Sequence, residues 1–336
     1  MKELIKRILP KKWVEKHSTY KLKRRYTLHF KHDISRYHAY SGLWGCKRKE
    51  QLLARISLRS HVVEKGLTMP EMRFGFGKDN LLELIKLCLD YRVRFDCGNE
   101  ILNKAVGLIR EYKEVHVAEN FLLEKDLEHS IDELLRMMPD VCATSQNVYE
   151  AGDYFMYSQS SFELFSRSRH SLRNFSSTKD VDMDVIYNAI ELAQNAPSSC
   201  NRQPSRVHVV VECDLIKKVL SLQNGNRGFG HLVNKLLVLT VDLSCYSGIK
   251  ERNLPYVDSG IFAMNLLYAL HFNQIGSCAL NWCDSPEDDA LIRSLLNIPS
   301  SETVTLLVAC GKVPEEIFKI ASSPRLRAQD VVTVHL

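Results

Sequence analysis

The sequence predicts a protein of two parts: a mostly α-helical N-terminal region, residues 1–155, and an α/β or α+β domain with one central sheet, residues 160–336. In the first part, NLLELIKLCLDYRV and DLEHSIDELLRMM repeat apolar residues at i, i+3, i+4 and i+7, the period of amphipathic helices. In the second part, short apolar runs alternate with helical segments, which is typical of strands connected by helices. The length of 336 residues suits two domains of ~100–200 residues each.

One segment of the N-terminal region, RSHVVEKGLTMPEMRFGFGK (59–78), is predicted to lie between helices because it is rich in glycine and charge. Its glycines do not have the spacing of a phosphate-binding loop. His61 and Glu64 lie three residues apart, as a pair of metal ligands can, but the sequence nearby offers no third ligand. The pattern therefore favours an ordinary pair on a helix surface, and we predict no metal site.

The elements of the second part follow in order along the chain. A helix from Asp182 to Ala196 is predicted to end at Pro197. The strands RVHVVVE and KLLVLTVDL then flank the helix LIKKVLSLQ, and the long apolar helix SGIFAMNLLYALHFNQIG leads to the short strand SCALNW. The helix PEDDALIRSLLNI precedes the apolar strand TVTLLVACG. The tail VVTVHL is a further strand candidate, well separated from the others.

The charge is distributed unevenly along the chain. Residues 1–60 carry 17 Lys/Arg and 4 Asp/Glu, a formal charge of +13, and the remaining residues carry 28 and 36, a charge of −8. The basic segment is either a solvated face or a surface for an anionic partner, such as a phosphorylated ligand or a membrane surface. No nucleic-acid-binding motif of known spacing accompanies it.

The sequence also bears on the compartment. No apolar run approaches the ~18–20 residues that span a bilayer, and the basic N-terminus lacks the features of a signal peptide. The ten cysteines are scattered without a C-x-x-C pair or a metal-type spacing, which indicates reduced thiols. We therefore expect a cytoplasmic protein.

Three polar clusters in the second part are candidates for a binding site: SRSRHSLRNF (166–175), APSSCNRQPSR (196–206) and SPRLRAQD (323–330). Each cluster alone is typical of a solvated surface or a polar loop. However, arginine offers fixed charged donors to phosphate oxygens, and serine hydroxyls complete such sites. Arg325 and Arg327 lie two residues apart, so an extended chain can direct both at one anion.

Together and in this order, the three clusters resemble the motifs of the nitroreductase-like flavoprotein family. The first resembles an R-R-S-x-R-x-F pattern at Arg169–Phe175, and the second an A-P-S-x-x-N-x-Q-P pattern at Ala196–Pro204. The third is a basic-x-Arg pair after a strand and a glycine, here Arg325-Leu326-Arg327. The long apolar helix is similar to the central helix of that family. The resemblance covers about residues 160–336 and implies an α+β fold with a mixed or antiparallel sheet flanked by helices.

The resemblance implies that FMN is the cofactor. The residues that would hold its phosphate and ribityl chain are Arg169, His170, Ser171, Arg325 and Arg327. The segment that would line the isoalloxazine edge contributes Pro197, Ser198, Ser199, Asn201 and Gln203. Arg173 matches a basic position near flavin N1 and O2, where a fixed cation favours the anionic reduced form. The strand end at 279–282 corresponds to backbone near N5.

Members of the family are generally homodimers with each flavin at the subunit interface, so the resemblance implies a homodimer here. The isolated apolar tail fits this expectation, because an unpaired strand invites pairing with another chain. The chain departs from the family at Ser205, where relatives often place an aromatic residue. Its N-terminal region is similar to extensions on nitroreductase-like proteins of bacterial polysaccharide gene clusters.

The function implied is an FMN-dependent oxidoreductase that passes a hydride from NADH or NADPH through flavin N5 to an organic acceptor. Two alternatives stay open: a dehydrogenase of a polysaccharide or other biosynthetic intermediate, and a flavin-binding scaffold without turnover. No catalytic acid or base is predicted. Cys200 lacks a second cysteine at short spacing and is predicted to be a bystander. His208 is predicted to be a packed or edge residue, and Trp282 and Cys283 are candidates for the substrate pocket.

Overall fold

The N-terminal region is helical in the computed structural model, which describes residues 11–41, 45–95 and 99–335. Its helices are α1 (Lys11–Tyr40), α2 (Lys49–Leu67), α3 (Lys78–Phe95), α4 (Glu100–Ala118) and α5 (Lys125–Met137). Helices α2 to α5 pack around one core that includes Leu52, Ile56, Leu84, Tyr91 and Ile109. Local signals agree with the helix bounds: α4 begins after Asn99, whose side chain accepts a hydrogen bond from the Ile101 N–H at 2.9 Å.

Helix α1 differs from the other helices because most of its large apolar side chains are exposed. Trp13, Tyr20, Ile34 and Tyr37 are each at least 65% exposed. One ion pair joins α1 to the C-terminal part: Arg252 donates to the carboxylate oxygens of Asp33 at 2.6 and 2.7 Å. The basic segment predicted for residues 1–60 therefore includes an exposed helix, while residues 1–10 lie outside the described chain.

The C-terminal part contains a four-stranded antiparallel sheet in the order β2-β3-β5-β4. Its strands are β2 (Ser205–Val210), β3 (Lys235–Asp242), β4 (Gly276–Asn281) and β5 (Glu302–Gly311). The central strand β3 is buried on both faces from Lys235 to Val241. All pairings in this sheet are antiparallel, so the α+β prediction with a mixed or antiparallel sheet is confirmed and the α/β alternative is wrong.

Helices cover both faces of the sheet. The helices of this part are α6 (Phe162–Ser168), α7 (Met183–Ala193), α8 (Cys213–Ser221), α9 (Leu254–Phe272) and α10 (Pro286–Leu296). On one face, Leu237 and Leu239 of β3 share a core with α7 and α9. On the other face, Leu236 and Val238 share a core with α8 and α10. This alternation follows from the two-residue period of a strand.

A small second sheet joins the segment after the N-terminal helices to the C-terminal segment. Strand β1 (Asn147–Tyr149) pairs antiparallel with β6 (Phe318–Ile320), and Asn147 lies opposite Ile320. The residues just before β1 therefore lie beside the residues just after β6. This pairing brings the end of the N-terminal region next to the third polar cluster.

The predicted helices and strands of the main sheet are present, and three details were wrong. Residues 59–67 lie in α2 rather than between helices, because their apolar side chains complete its buried face. Helix α7 ends at Ala193, before the predicted end at Ala196. The tail residues 331–335 form no strand within the described chain, and Leu336 lies outside the described residues. No helix among the described residues is both long and apolar enough to cross a membrane.

Gly311, at the end of β5, provides a test of how the first motif packs. A Cβ at this position would lie 2.6–2.8 Å from atoms of Phe175, which is buried. We expect Gly311→Ala to lower the free energy of unfolding by about 1–3 kcal/mol, because the ring must move. Denaturant titration measures this change. Gly152→Ala is the control, since a Cβ at Gly152 meets no atom within 4 Å; equal stability of both variants would contradict the packing described.

Candidate functional site

The first motif, Arg169–Phe175, lies along the edge of strand β4. The Leu172 N–H donates to the Ser277 carbonyl at 2.9 Å, and Ser171 forms an isolated parallel bridge with Ser277. Leu172 and Phe175 are buried in the core. Ser171 and Arg173, which flank the buried Leu172, face outward and line a pocket.

This pocket, called the cleft pocket below, has a volume of about 450 Å³ and lies between the two parts of the chain. Three of the predicted FMN-binding residues meet here: Ser171, Arg173 and Arg325. The N-terminal region contributes the facing wall, which consists of Ser57, Ser60, His61, Glu64, Ile101, Lys104, Leu108 and Thr144. The sequence did not predict that the N-terminal region lines this pocket.

Positive charge is concentrated around the cleft pocket. The Nη2 atom of Arg173 lies 3.5 Å from Nε2 of His61, and Lys104 Nζ donates to the Arg325 carbonyl at 3.0 Å. Burial lowers the pKa of nearby Lys65, and the positive charge of Arg173 lowers it further. A site with several cations and serine hydroxyls is suited to a phosphate or another anionic, hydroxylated ligand.

Glu64 is not the helix-surface residue that its spacing from His61 suggested. The two side chains do lie near each other, with 3.5 Å between His61 Nδ1 and Glu64 Oε2. However, Glu64 is only 8% exposed and accepts hydrogen bonds from the Ser323 N–H at 2.8 Å and from Ser322 Oγ at 3.2 Å. Burial alone would raise the pKa of Glu64, but the hydrogen bonds from His61 and Ser323 outweigh it and hold this pKa below its ordinary value.

The donors of the cleft pocket fit the phosphate and ribityl end of FMN. Ser60 Oγ is buried in the pocket wall and has no hydrogen-bond partner among the described residues. Buried hydroxyls are usually paired, so an unpaired one at a pocket suggests a ligand contact. Together with the hydroxyl of Ser171 and the guanidinium group of Arg325, it offers the donors that phosphate and ribityl oxygens require.

The other predicted phosphate contacts, Arg169, His170 and Arg327, do not line the cleft pocket in this structure. His170 contacts two tyrosines: Tyr154 Oη donates to its carbonyl at 3.1 Å, and Tyr149 Oη lies 3.4 Å from its Nε2. Burial, followed by the positive charges of Arg169 and Arg325, lowers the pKa of His170. Arg327 pairs instead with Asp330, at 3.2 Å from Nε to Oδ2. The roles of these three residues toward FMN stay predictions.

The second motif lies at a different pocket. Pro197, Ser198 and Gln203 line a cavity of about 370 Å³ formed with α7, β2 and α9. The loop has left-handed backbone at Cys200, Asn201 and Gln203, with φ of 53°, 52° and 48°. Such conformations cost non-glycine residues about 1–3 kcal/mol each and often mark functional loops.

Buried polar groups hold this strained loop. Both the backbone N–H and the hydroxyl of Ser199 donate to Asp258 Oδ1, at 3.0 and 2.9 Å. Tyr246 Oη donates to the other oxygen of Asp258 at 2.7 Å. The sequence contains a signal for this role, because Asp258 is an acidic residue within the otherwise apolar helix α9.

Arg202 is a further residue that sequence reasoning missed. Its guanidinium donates to the carbonyls of Ser199 and Cys245 and to Glu251, each at 2.9 Å, and lies over the Tyr246 ring. The hydrogen bond from Arg202 is the main reason that the pKa of Glu251 falls to about 2. Arg202 therefore ties the second motif to the segment before α9.

The remaining predictions concern β2, β4 and their surroundings. His208 of β2 lies 2.8 Å from Glu302 Oε2, and Glu302 also accepts a hydrogen bond from Thr240. His208 is thus paired within the sheet. Trp282 packs partly buried against the core, and Cys283 is exposed; their contact with a substrate stays a prediction.

Comparison with known proteins gives a family match in the same region. Residues 166–226 match the model of the Nitroreductase family. Among solved structures, the chain is similar to a nitroreductase family protein from Streptococcus pneumoniae, with 22% identity over 51% of this chain and 98% of that chain and a TM-score of 0.45. It is similar to an FMN-dependent nitroreductase from Clostridium difficile R20291, with 21% identity, coverage of 51% and 95%, and a TM-score of 0.41. A search of curated proteins found no match.

The resemblance to nitroreductases is thereby confirmed for the part of the chain that holds the first two motifs. The family match begins at residue 166 and ends at residue 226, so it includes Arg169–Phe175 and Ala196–Pro204. The third motif, at 323–330, lies outside it. The helical N-terminal extension is present as predicted.

His271 of α9, below the first motif, provides a pH test of this packing. It is 2% exposed and lies 2.8 Å from Ser168 Oγ, and burial lowers its pKa to about 4. The unfolded chain takes up this proton at about pH 6.5, so the stability contributed by neutral His271 is complete above that pH and is lost as the pH falls toward 4. We therefore expect the wild type to lose about 2 kcal/mol more of its free energy of unfolding between pH 7.5 and pH 5 than His271→Gln loses.

Urea unfolding at the two pH values measures this difference. His129→Gln is the control, since His129 is exposed on α5. His129→Gln should lose as much free energy of unfolding between the two pH values as the wild type. If His271→Gln also loses as much as the wild type, His271 is not buried in its neutral form.

Proposed function

We propose that this chain, whose residues 166–226 match the nitroreductase family, is an FMN-dependent oxidoreductase that passes a hydride from NADH or NADPH to an organic acceptor. The observation that carries the proposal is the cleft pocket, where Ser171, Arg173 and Arg325 of two separate motifs meet. These motifs lie more than 140 residues apart in the sequence. Their convergence on one cationic pocket supports a phosphate-bearing ligand.

In this proposal, the side chains of the chain bind and orient the cofactor, and FMN supplies the hydride chemistry at its N5 atom when bound. Arg325 and Ser171 hold the phosphate, and the orphan hydroxyl of Ser60 donates to the phosphate or ribityl oxygens. Arg173 places a fixed positive charge toward the N1 and O2 end, which favours the anionic reduced form. No acid or base from the protein is required for this exchange.

We also propose that the protein is a homodimer with the flavin at the subunit interface. The two motifs line different pockets within one chain, so a partner's loop 196–204 would complete the cleft pocket. Helix α9 exposes an apolar stripe of the kind that mediates such association: Val257, Ile261, Met264 and Phe272 are 37–50% exposed. A symmetric dimer buries the same stripe on both chains.

The alternatives differ in how they use the same pocket. A dehydrogenase of a polysaccharide or other biosynthetic intermediate would keep FMN and reverse the direction of transfer. A scaffold would bind FMN without turnover. The exposed basic helix α1, which contains Lys21, Lys23, Arg24 and Arg25, is proposed to meet an anionic ligand or a membrane surface.

The first test is the colour and redox behaviour of the purified protein. We expect FMN to be bound and to be bleached by NADH or NADPH under anaerobic conditions. A protein that binds no FMN contradicts the proposal and both alternatives. Bound FMN that neither nucleotide bleaches favours the dehydrogenase or the scaffold.

The second test addresses the phosphate contact. We expect Arg325→Ala to weaken FMN binding by about tenfold or more, because a hydrogen bond between charged groups contributes about 1.5–3 kcal/mol. Titration followed by flavin fluorescence measures the dissociation constant. Arg136→Ala, an exposed arginine of α5, is the control. Wild-type affinity in Arg325→Ala would exclude a phosphate contact for this residue.

The third test addresses the dimer. We expect Val257→Asp to shift the protein to a monomer in sedimentation, because each chain would bury an unpaired carboxylate in an apolar interface. The matched control is Val93→Asp on α3, which is 78% exposed and should stay dimeric. A Val257→Asp variant that sediments as a dimer means that the interface lies elsewhere.

A further inference from the structure

We infer that Glu64 is a positioning residue: from the N-terminal region, it holds the turn at Ser322 and Ser323 that directs Arg325 into the cleft pocket. The inference rests on the proposed function only in taking Arg325 as a phosphate contact. Glu64 lies outside the three sequence motifs, so the inference gives the helical extension a role at the proposed flavin site.

The turn itself requires support. Ser323 has φ of +41°, a left-handed conformation that a residue with a Cβ rarely adopts. An unsupported serine would relax toward the ordinary right-handed or extended regions. Arg325 lies two residues further on, so its direction depends on this backbone.

Glu64 supplies the support from helix α2. Its Oε1 atom accepts from the Ser323 N–H at 2.8 Å and from Ser322 Oγ at 3.2 Å, while Oε2 faces His61 at 3.5 Å. The carboxylate is only 8% exposed, so solvent does not compete effectively for these bonds. These donors partly offset the repulsion that the negative charge would exert on an anion in the pocket.

A second buried carboxylate supports the same turn through an amide. The Ser322 N–H donates to Gln146 Oε1 at 3.1 Å, and Gln146 Nε2 donates to Glu111 Oε2 at 2.9 Å. Thr144 Oγ1 donates to the same oxygen of Glu111 at 2.6 Å. Gln146 and Glu111 are buried. The backbone N–H groups of both turn residues are thus bound by side chains that precede residue 150.

The turn at Ser322 and Ser323 also restrains Arg325. The Arg325 guanidinium donates to the Ser323 carbonyl, and the Arg325 carbonyl accepts from Lys104 Nζ at 3.0 Å. Side chain and backbone of Arg325 are therefore both held by the turn and by α4. Loss of the Glu64 carboxylate would release Ser323 and leave the guanidinium without a fixed direction.

The test compares FMN with riboflavin, which lacks the phosphate. We expect Glu64→Ala to weaken FMN binding by about tenfold and to change riboflavin binding by less than about twofold, because only the phosphate end is affected. Glu64→Gln should restore FMN affinity to within about threefold, since its Oε1 still accepts from Ser323. Glu114→Ala, an exposed glutamate of α4, is the control.

Equal weakening of FMN and riboflavin in Glu64→Ala would overturn the inference, since a merely structural role affects both flavins. Unchanged FMN affinity would also overturn it. Hydrogen–deuterium exchange without flavin tests the positioning separately: we expect faster exchange in Glu64→Ala confined to peptides covering 318–330, and no change in Glu114→Ala. If the wild type binds neither flavin, the proposed function fails, and unchanged exchange at 318–330 still decides against the role of Glu64.

Discussion

The antiparallel pairing of β3 with β5 is the interaction on which the rest of the C-terminal part depends. Strand β3 is buried on both faces, and its residues 236–239 pack alternately against the helices on one side and the other. Strand β5 carries β4 on its other edge, and β4 holds the first motif through Ser277. At its end, Gly311 leaves the space that Phe175 fills. The direction of Ser171 and Arg173 is thus set by the sheet rather than by the motif alone.

The two parts of the chain share one polar interior at the candidate site. Glu64 and Glu111 are carboxylates buried at the boundary, and such groups are tolerated only when hydrogen bonds satisfy them. Glu64 accepts hydrogen bonds from the turn at 322–323, on the other side of the boundary, and Glu111 is linked to the same turn through Gln146. Because the carboxylates need these donors and the turn needs these acceptors, the helical region and the third motif depend on each other. Through this physical coupling the helical extension can affect the cleft pocket.

The second motif shows a different use of buried charge. Its left-handed residues store conformational strain, and Asp258 with Arg202 holds the loop in that shape. The loop is therefore pre-formed before any partner or ligand arrives. In the proposed dimer, this pre-formation would lower the entropy lost when the loop contacts the partner chain.

The sequence by itself determined the helices and strands of the main sheet and the order of the three motifs, because side-chain periodicity and turn chemistry act over a few residues. It also supported the family match through Arg169–Phe175 and Ala196–Pro204. Only the tertiary structure decided that Glu64 is buried against Ser323, that Arg327 pairs with Asp330 and that residues 331–335 form no strand. Glu64 and Ser323 lie 259 residues apart. No local pattern encodes such a contact, since it depends on how β1 and β6 bring distant segments of the chain together.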